Sequence, residues 1–185
     1  MEKHKIVLVI VIPIMIIIAV GILSYFPESQ EGDLQIEGFF DCLEAGYPIM
    51  ESYPRQCRIS NDKLFVENIG NELEKMDLIR IDNPRPNQVI GSPLIIEGEA
   101  KGSWFFEGDF PVILTNWDGL IIAEGYATAQ SDWMTDEFVR FKAEIEFEKP
   151  GLYNRGSLIL RKDNPSGLAE NDDALEIPIF FDIIK

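Results

Sequence analysis

Short apolar segments separated by polar turns make up the C-terminal part of the chain. Phe141 and Ile145 are apolar while Lys142 beside them is charged, and this two-residue alternation is typical of a half-buried strand. Asp118-Gly119 is a strong signal for a hairpin turn. The predicted strands cover residues 78–81, 94–98, 110–115, 120–126, 138–147, 157–160 and 175–183. Strands of this number and spacing predict an antiparallel β-sandwich over residues 77–185.

A second pattern is an uncharged apolar run that begins at Ile6 and ends at Leu23. A run of about eighteen residues is near the length that a helix needs to cross the hydrocarbon core of a membrane. Lys3 and Lys5 precede the run, so the positive-inside rule keeps the N-terminus in the cytoplasm and exports the rest of the chain.

We therefore expect residues 1–26 to form a single-pass anchor in the cytoplasmic membrane, with Tyr25 and Phe26 at the outer interface. A cleaved signal peptide is the alternative, because Ala19-Val20-Gly21 is a candidate small-x-small cleavage site. In that case the mature chain would be secreted. Residues 27–38 are polar and acidic, which predicts a spacer.

The next segment, residues 39–76, is interpreted as a small cysteine-containing unit followed by a linker. A helical turn stopped at Gly46 and a hairpin within residues 57–66 are the expected elements. Cys42 and Cys57 both follow the apolar run, where an oxidising compartment favours a disulfide over free thiols. Closing this loop should stabilise the fold by about 3 kcal/mol.

Charge and histidine content narrow the classes of function. The formal net charge is −16, which argues against a nucleic-acid partner because such partners need a basic surface. The only histidine, His4, precedes the apolar run, so Ser-His and Cys-His catalytic arrangements are unavailable beyond it. Carboxylates are too numerous to single out a pair for glycoside hydrolysis. We expect no enzymatic activity and no cofactor.

Five aromatic residues are candidates for binding a sugar or a protein partner. They are Trp104, Phe105, Phe106, Trp117 and Trp133. Because successive residues of a strand face opposite sides, one residue of the run 104–106 should face away from its neighbours. Packing within the core of the sandwich is the alternative role for all five.

A loop rich in oxygen ligands is a candidate calcium site, and a solvated turn is the alternative. Its ligands would be Asp163, Asn164, Glu170, Asp172 and Asp173. The spacing of these residues differs from that of an EF-hand loop.

Arg55 and Arg58 form a locally basic patch in an acidic chain. Ordinary solvated charge is one interpretation of this patch. Docking onto an acidic partner, or onto the chain's own sandwich, is the other.

Part of the sequence resembles a known family. The segments IDNPRPNQVIGSPLIIEGEAKGSWFFEGDFPVILTNWDG, WMTDEFVRFKAEIEF, GSLILRKDNPSG and NDDALEIPIFF occur in this order. They resemble the immunoglobulin-like domain associated with bacterial spore germination proteins, over residues 79–181. The resemblance implies an immunoglobulin-like β-sandwich that serves as an extracytoplasmic interaction or structural module without catalytic residues. The segment CLEAGYPIMESYPRQC resembles a short cysteine motif of exported bacterial proteins.

These patterns together predict a mainly β chain in which an N-terminal transmembrane helix and a small disulfide-stapled unit precede the sandwich. The predicted function is a non-catalytic module that presents the sandwich to a cell-envelope polymer or to a protein. The alternative is an inhibitor or a ligand sensor that acts through the unit of Cys42 and Cys57. The expected contacts are the membrane, through residues 6–23, and one extracytoplasmic partner.

Overall fold

The cysteine-containing part of the chain folds into a short helix and a three-stranded antiparallel sheet. The computed structural model describes residues 35–60 and 62–182. Helix α1 (Phe39–Glu44) follows Gly38, and the chain turns away at Gly46, where φ is +77°. Strands β1 (Ile49–Met50), β2 (Gln56–Ser60) and β3 (Lys63–Val66) follow in the order β1-β2-β3. The predicted helical turn and hairpin are therefore both present.

Two of the predicted segments lie largely outside the described residues. These are the membrane segment, residues 6–23, and the spacer, residues 27–38, of which only 35–38 are described. Within the described ranges, every helix is too short or too polar to cross a membrane. The membrane anchor therefore stays a prediction.

A disulfide joins α1 to β2, which confirms the predicted pairing of Cys42 with Cys57. The two Cα atoms are 6.1 Å apart, and both cysteines are fully buried. Phe39 is buried beside them, and its ring meets Phe40 edge-on with centroids 5.4 Å apart. Phe40 in turn meets Phe180 at 5.3 Å, so the cysteine unit packs on the last strand of the sandwich.

Helix α2 (Glu72–Lys75) leads into eight further strands, which form one curled sheet. They are β4 (Ile79–Asn83), β5 (Val89–Ile90), β6 (Leu94–Lys101), β7 (Asp109–Asn116), β8 (Ile121–Ala129), β9 (Phe138–Ile145), β10 (Arg155–Arg161) and β11 (Ala174–Phe181). Short 3₁₀ helices occupy Gly102–Trp104 and Ala169–Asn171.

The order of strands in this sheet is β4-β6-β9-β8-β7-β10-β11-β5. Strand β8 pairs with β7 along most of its length, but it pairs with β9 only through Thr128–Lys142 and Ala129–Phe141. The sheet bends at this narrow joint, and its two halves face each other as the two layers of a sandwich.

One pairing corrects the expectation of a wholly antiparallel sandwich. Val89 and Ile90 of β5 run parallel to Phe180 and Phe181 of β11. The reason lies in the preceding segment, because Pro84 has no N–H to continue the ladder of β4. The chain leaves one end of the sheet there and rejoins it at the other end.

The inward faces of the long strands form one hydrophobic core, as the two-residue alternation predicts. Along β9, Phe141 and Ile145 are buried while Lys142 is exposed. The rings of Phe110 and Phe141 lie 5.0 Å apart at the centre of the core. Fully burying a side chain of this kind contributes about 1.5–3 kcal/mol. The sandwich therefore has a substantial core of its own.

The outer edge of β11 is covered by the segment that enters the sandwich. The side chain of Asn71 donates from Nδ2 to the carbonyl of Ala174 (2.9 Å) and accepts at Oδ1 from the N–H of Glu176 (2.8 Å). The backbone N–H of Asn71 donates to the carbonyl of Glu176 (3.1 Å), and that of Asn87 donates to Pro178 (2.7 Å). An amide side chain thus takes the place of a neighbouring strand.

Residues from Gly38 to Lys185 form one compact unit by their backbone contacts. The cysteine unit and the sandwich are both parts of it. The domain boundary predicted between residues 76 and 77 stays a prediction.

Candidate functional site

Two loops meet at one end of the sandwich and form a cleft between them. One loop is the β7–β8 hairpin, and the other is the long connection from β9 to β10. Their closeness follows from the pairing of β7 with β10, in which Asn116 lies opposite Gly156. Trp117 follows the first of these residues, and Tyr153 precedes the second by three positions.

The hairpin turn holds Trp117 toward solvent. Oδ1 of Asn116 accepts from the N–H of Asp118 (3.3 Å) and of Leu120 (2.9 Å), so one side chain fixes the whole loop. Gly119 has a φ of +83°, in the left-handed region that glycine adopts without strain. The predicted turn at Asp118-Gly119 is confirmed, and Trp117 is left 50% exposed.

Tyr153 lies opposite Trp117 in an unfavourable backbone conformation. Its φ is +59°, and left-handed backbone costs a residue with a Cβ roughly 1–2 kcal/mol. The side chain is 62% exposed, and its ring meets that of Trp117 at 4.8 Å and an interplanar angle of 66°. Burial therefore does not account for this conformation, which places the ring against that of Trp117.

The two rings line a cleft of about 580 Å³ together with polar groups. Gly156 lies in its lining, and a Cβ added there would approach the carbonyl oxygen of Thr115 to 2.2 Å. The absence of a side chain at Gly156 therefore lets β10 approach β7 closely. Asn154, Arg155 and Ser157 supply the hydrogen-bonding groups of the cleft.

Arg155 is the cation of this cleft. Its guanidinium carbon lies 5.8 Å from the centroid of the Phe180 ring, which supports the side chain from one side. Asn154 is half-buried, and its backbone carbonyl accepts from the N–H of Phe181 (2.8 Å). Among the described residues, neither the guanidinium of Arg155 nor the amide side chain of Asn154 has a hydrogen-bond or ion-pair partner.

Two of the five aromatic candidates are core residues. Trp104 is 1% exposed and Phe105 is 4% exposed, which removes both from the accessible surface. The reason is the 3₁₀ turn ending at Trp104, which directs that ring inward and interrupts the alternation of a strand. Phe106 is 41% exposed and faces away from its neighbours, as expected. Trp133 is half-buried against the core.

Of the five candidates, only Trp117 lies at the cleft. Tyr153, Asn154 and Arg155 were not expected from the sequence. The available signal was the segment Gly151-Leu152-Tyr153, which places exposed apolar side chains in a loop.

The candidate calcium loop uses several of its polar groups internally. The amide of Asn164 donates to the carbonyl of Leu168 and to Oδ1 of Asp172, each at 2.8 Å. Asp173 forms an ion pair with Lys75 at 2.6 Å.

The remaining candidate ligands of this loop are Asp163, which is half-buried, and Glu170, which is exposed. In residues 35–60 and 62–182, no group of three or more His, Cys, Asp or Glu side chains is arranged to hold a metal ion. The calcium site stays a prediction.

Arg55 of the basic patch forms an ion pair within the cysteine unit itself. Glu67 is 6% exposed and accepts from Nε (2.8 Å) and Nη2 (2.6 Å) of Arg55 and from Nδ2 of Asn87 (3.1 Å). The hydrogen bonds from Arg55 lower the pKa of Glu67 despite its burial. Since Asn87 precedes β5, the carboxylate bridges the cysteine unit and the sandwich.

A second buried carboxylate, Glu72, makes a similar bridge. It pairs with Arg85 at 2.6 Å and accepts from the hydroxyl of Tyr53. Nη2 of Arg85 also donates to that hydroxyl at 2.8 Å. Partial burial of Tyr53, followed by the hydrogen bond to Glu72 and the charge of Glu72, raises the pKa of the Tyr53 hydroxyl. The two networks use the polar side chains of the cysteine unit for contacts within the protein. The exposed rings of Trp117 and Tyr153 make their cleft the candidate binding site.

Comparison with known proteins bears on the sandwich. A family model described as the immunoglobulin-like domain of bacterial spore germination matches residues 78–169. The matched residues include β4 to β10 and both loops of the cleft. No curated protein and no solved structure matches the chain. The C-terminal domain of this chain therefore belongs to the family of immunoglobulin-like domains of bacterial spore germination.

Proposed function

We propose that this protein is a non-catalytic binding module, held at the outer face of the cytoplasmic membrane, that contacts a polymer of the cell envelope. The apolar run from Ile6 to Leu23 supplies the anchor, and Lys3 and Lys5 set its orientation. The immunoglobulin-like domain supplies the contact surface.

The observation that carries the proposal is the exposed pair of Trp117 and Tyr153. Large aromatic rings provide much contact area for few rotatable bonds, and they are over-represented among residues that dominate binding energy. The loops at the ends of a sandwich are rigidly supported and tolerate variation, so they are frequent places for binding residues. A strained tyrosine that is exposed rather than buried fits presentation to a partner.

The cysteine unit supports the sandwich in this proposal instead of acting alone. Its side chains are engaged within the protein: Arg55 pairs with Glu67, Phe40 packs on Phe180, and Tyr53 bonds to Arg85. In the described part of the unit, Tyr47 and Tyr53 are exposed, but the hydroxyl of Tyr53 is bonded to Glu72 and Arg85, which favours a structural role over an inhibitory or sensing one.

Sedimentation with purified cell walls tests the proposal. The full chain, kept soluble in mild detergent, is expected to sediment with the walls. Trp117→Ala should weaken the binding constant, measured below saturation of the walls, at least about fivefold, because binding hot spots contribute more than 1 kcal/mol. Phe106→Ala is the matched control, since it removes an exposed aromatic ring outside the cleft. Equal binding by the wild type and Trp117→Ala, or equal losses in both variants, would contradict the proposed site.

Protease treatment of intact cells tests the location. The C-terminal domain should be digested when protease is added from outside. Protection until the cells are lysed would contradict the proposed orientation.

A further inference from the structure

The charge of the cleft differs from that of the protein as a whole. The chain carries 32 acidic and 16 basic residues, yet the residues that line the cleft include one arginine and no carboxylate. Ion pairs engage Arg55, Arg80, Arg85 and Arg140 in the described residues. None in that part of the chain engages Arg58, Arg155 or Arg161, and of these three only Arg155 lies in the lining of the cleft. An exposed cation without a carboxylate partner, in a chain rich in carboxylates, points to an anionic group on the ligand.

The position of Arg155 suits a planar anion. Its guanidinium carbon lies over the ring of Phe180, 5.8 Å from the centroid, and its N–H groups donate to no other residue that the structure describes. A guanidinium binds a carboxylate through two parallel hydrogen bonds, which gives directional recognition as well as energy. The amide of Asn154 and the hydroxyl of Ser157 add neutral donors and acceptors in the same lining.

The remaining wall of the cleft suits a sugar ring. A pyranose has apolar C–H faces and a polar rim, so it packs against aromatic rings while its rim accepts and donates hydrogen bonds. Trp117 and Tyr153 offer such rings at an interplanar angle of 66°, and Asn154 and Ser157 offer the polar groups. The volume of about 580 Å³ lies within the usual range for small-ligand sites, about 300–1,000 Å³.

We propose that this cleft binds a carboxylate-bearing sugar unit of an envelope polysaccharide. Trp117 and Tyr153 contact the ring, and Arg155 receives the carboxylate. The inference rests on the proposed function and adds the chemical class of the ligand. The net charge of the chain does not oppose it at close range, because charges beyond a Debye length of about 8 Å are screened at physiological ionic strength.

Calorimetry with defined oligosaccharides tests the inference. The full chain in mild detergent is titrated with oligogalacturonate, with a neutral galactose oligosaccharide of equal length and with a glycerol phosphate oligomer. We expect the tightest binding for oligogalacturonate. Arg155→Gln should weaken it about tenfold or more, since a charged hydrogen bond contributes about 1.5–3 kcal/mol. The same change should leave the neutral oligosaccharide unaffected.

Arg161→Gln is the matched control, because it removes an exposed arginine at the other end of β10. This variant should bind oligogalacturonate as the wild type does. Trp117→Ala should weaken both sugar ligands.

The inference is overturned if the neutral or the phosphate oligomer binds as tightly as oligogalacturonate, or if Arg155→Gln keeps the preference for the carboxylate. Suppose either result is obtained while the wild type still sediments with cell walls and Trp117→Ala does not. The carboxylate-bearing sugar is then excluded as the ligand, and the proposed function is retained. Failure of the sedimentation as well removes both.

Discussion

Arg55→Gln tests the buried bridge between the cysteine unit and the sandwich. The change removes two side-chain hydrogen bonds to Glu67, of 2.6 and 2.8 Å. The buried carboxylate keeps Asn87 at 3.1 Å and the backbone hydrogen bond from position 55. At about 4 Å and an effective dielectric constant of 20, the attraction between the two charges is about 4 kcal/mol. Desolvation of Glu67 and partial exposure of Arg55 offset part of this, so we expect a net loss of about 2 kcal/mol.

A double-mutant cycle isolates this contribution. Arg55 also lies over the ring of Phe39, at 5.2 Å from its centroid, so Arg55→Gln alone removes more than the ion pair. The free energies of unfolding of the wild type, Arg55→Gln, Glu67→Gln and the double variant, measured by chemical denaturation, together give the coupling energy of the ion pair. A net loss of about 2 kcal/mol corresponds to a melting temperature lower by roughly 4–8 °C. Lys142→Gln, which breaks an exposed pair with Glu97 at 2.9 Å, is the control and should cost less than about 0.5 kcal/mol.

The same cycle predicts a dependence on pH. Because the pKa of Glu67 is lowered in the folded state, its contribution is fully present above its unfolded pKa of about 4.3 and is lost as pH falls through the folded value. The wild type should therefore lose more stability than Arg55→Gln on acidification from pH 6 to pH 3. A coupling energy below about 0.5 kcal/mol, or equal acid sensitivity in the two proteins, would refute the reasoning.

Three further predictions concern stability. Tyr153→Asn should be about 1 kcal/mol more stable than Tyr153→Ala in urea denaturation, because both remove the ring but Asn tolerates left-handed backbone; equal stabilities would mean that the loop relaxes to an ordinary φ. Replacing both Cys42 and Cys57 by Ala should cost about 3 kcal/mol and abolish any effect of reductant on melting, and a cost below about 1 kcal/mol would contradict a stabilising staple. Gly98→Ala should destabilise by about 1–3 kcal/mol, since the added Cβ would lie 2.2 Å from a backbone oxygen of β4. Gly91→Ala, where the Cβ meets nothing within 4 Å, should be neutral or slightly stabilising, and similar melting curves for the two glycine variants would argue against the packing described.

Local pattern was sufficient for most of the sandwich, because its long strands alternate between core and solvent. It failed where pairing partners are distant in the sequence. A strand of two residues, Val89 and Ile90, is too short to show an alternation of apolar and polar residues. It forms because Phe180 and Phe181 lie beside it. Strand alternation alone does not decide which residue of 104–106 faces solvent, and a 3₁₀ turn directs Trp104 into the core.

The candidate site was predictable only in part, for the same reason. Trp117 was accessible to prediction because Asp118-Gly119 marks a hairpin whose tip must be exposed. Tyr153 and Arg155 approach it through the pairing of β7 with β10, which no local pattern encodes. The left-handed backbone of Tyr153 is likewise invisible in the sequence, since tyrosine is not a residue that favours it.

The amide of Asn71 and the backbone of Asn87 occupy the hydrogen-bonding positions along the rim of β11. An unoccupied strand of this kind is a template onto which another chain can add, and from which aggregates grow. These two segments therefore prevent a strand of another molecule from pairing with β11. A truncated chain starting at residue 77 would lose Asn71 and uncover part of the strand, so we expect such a fragment to self-associate at concentrations where the whole protein stays monomeric.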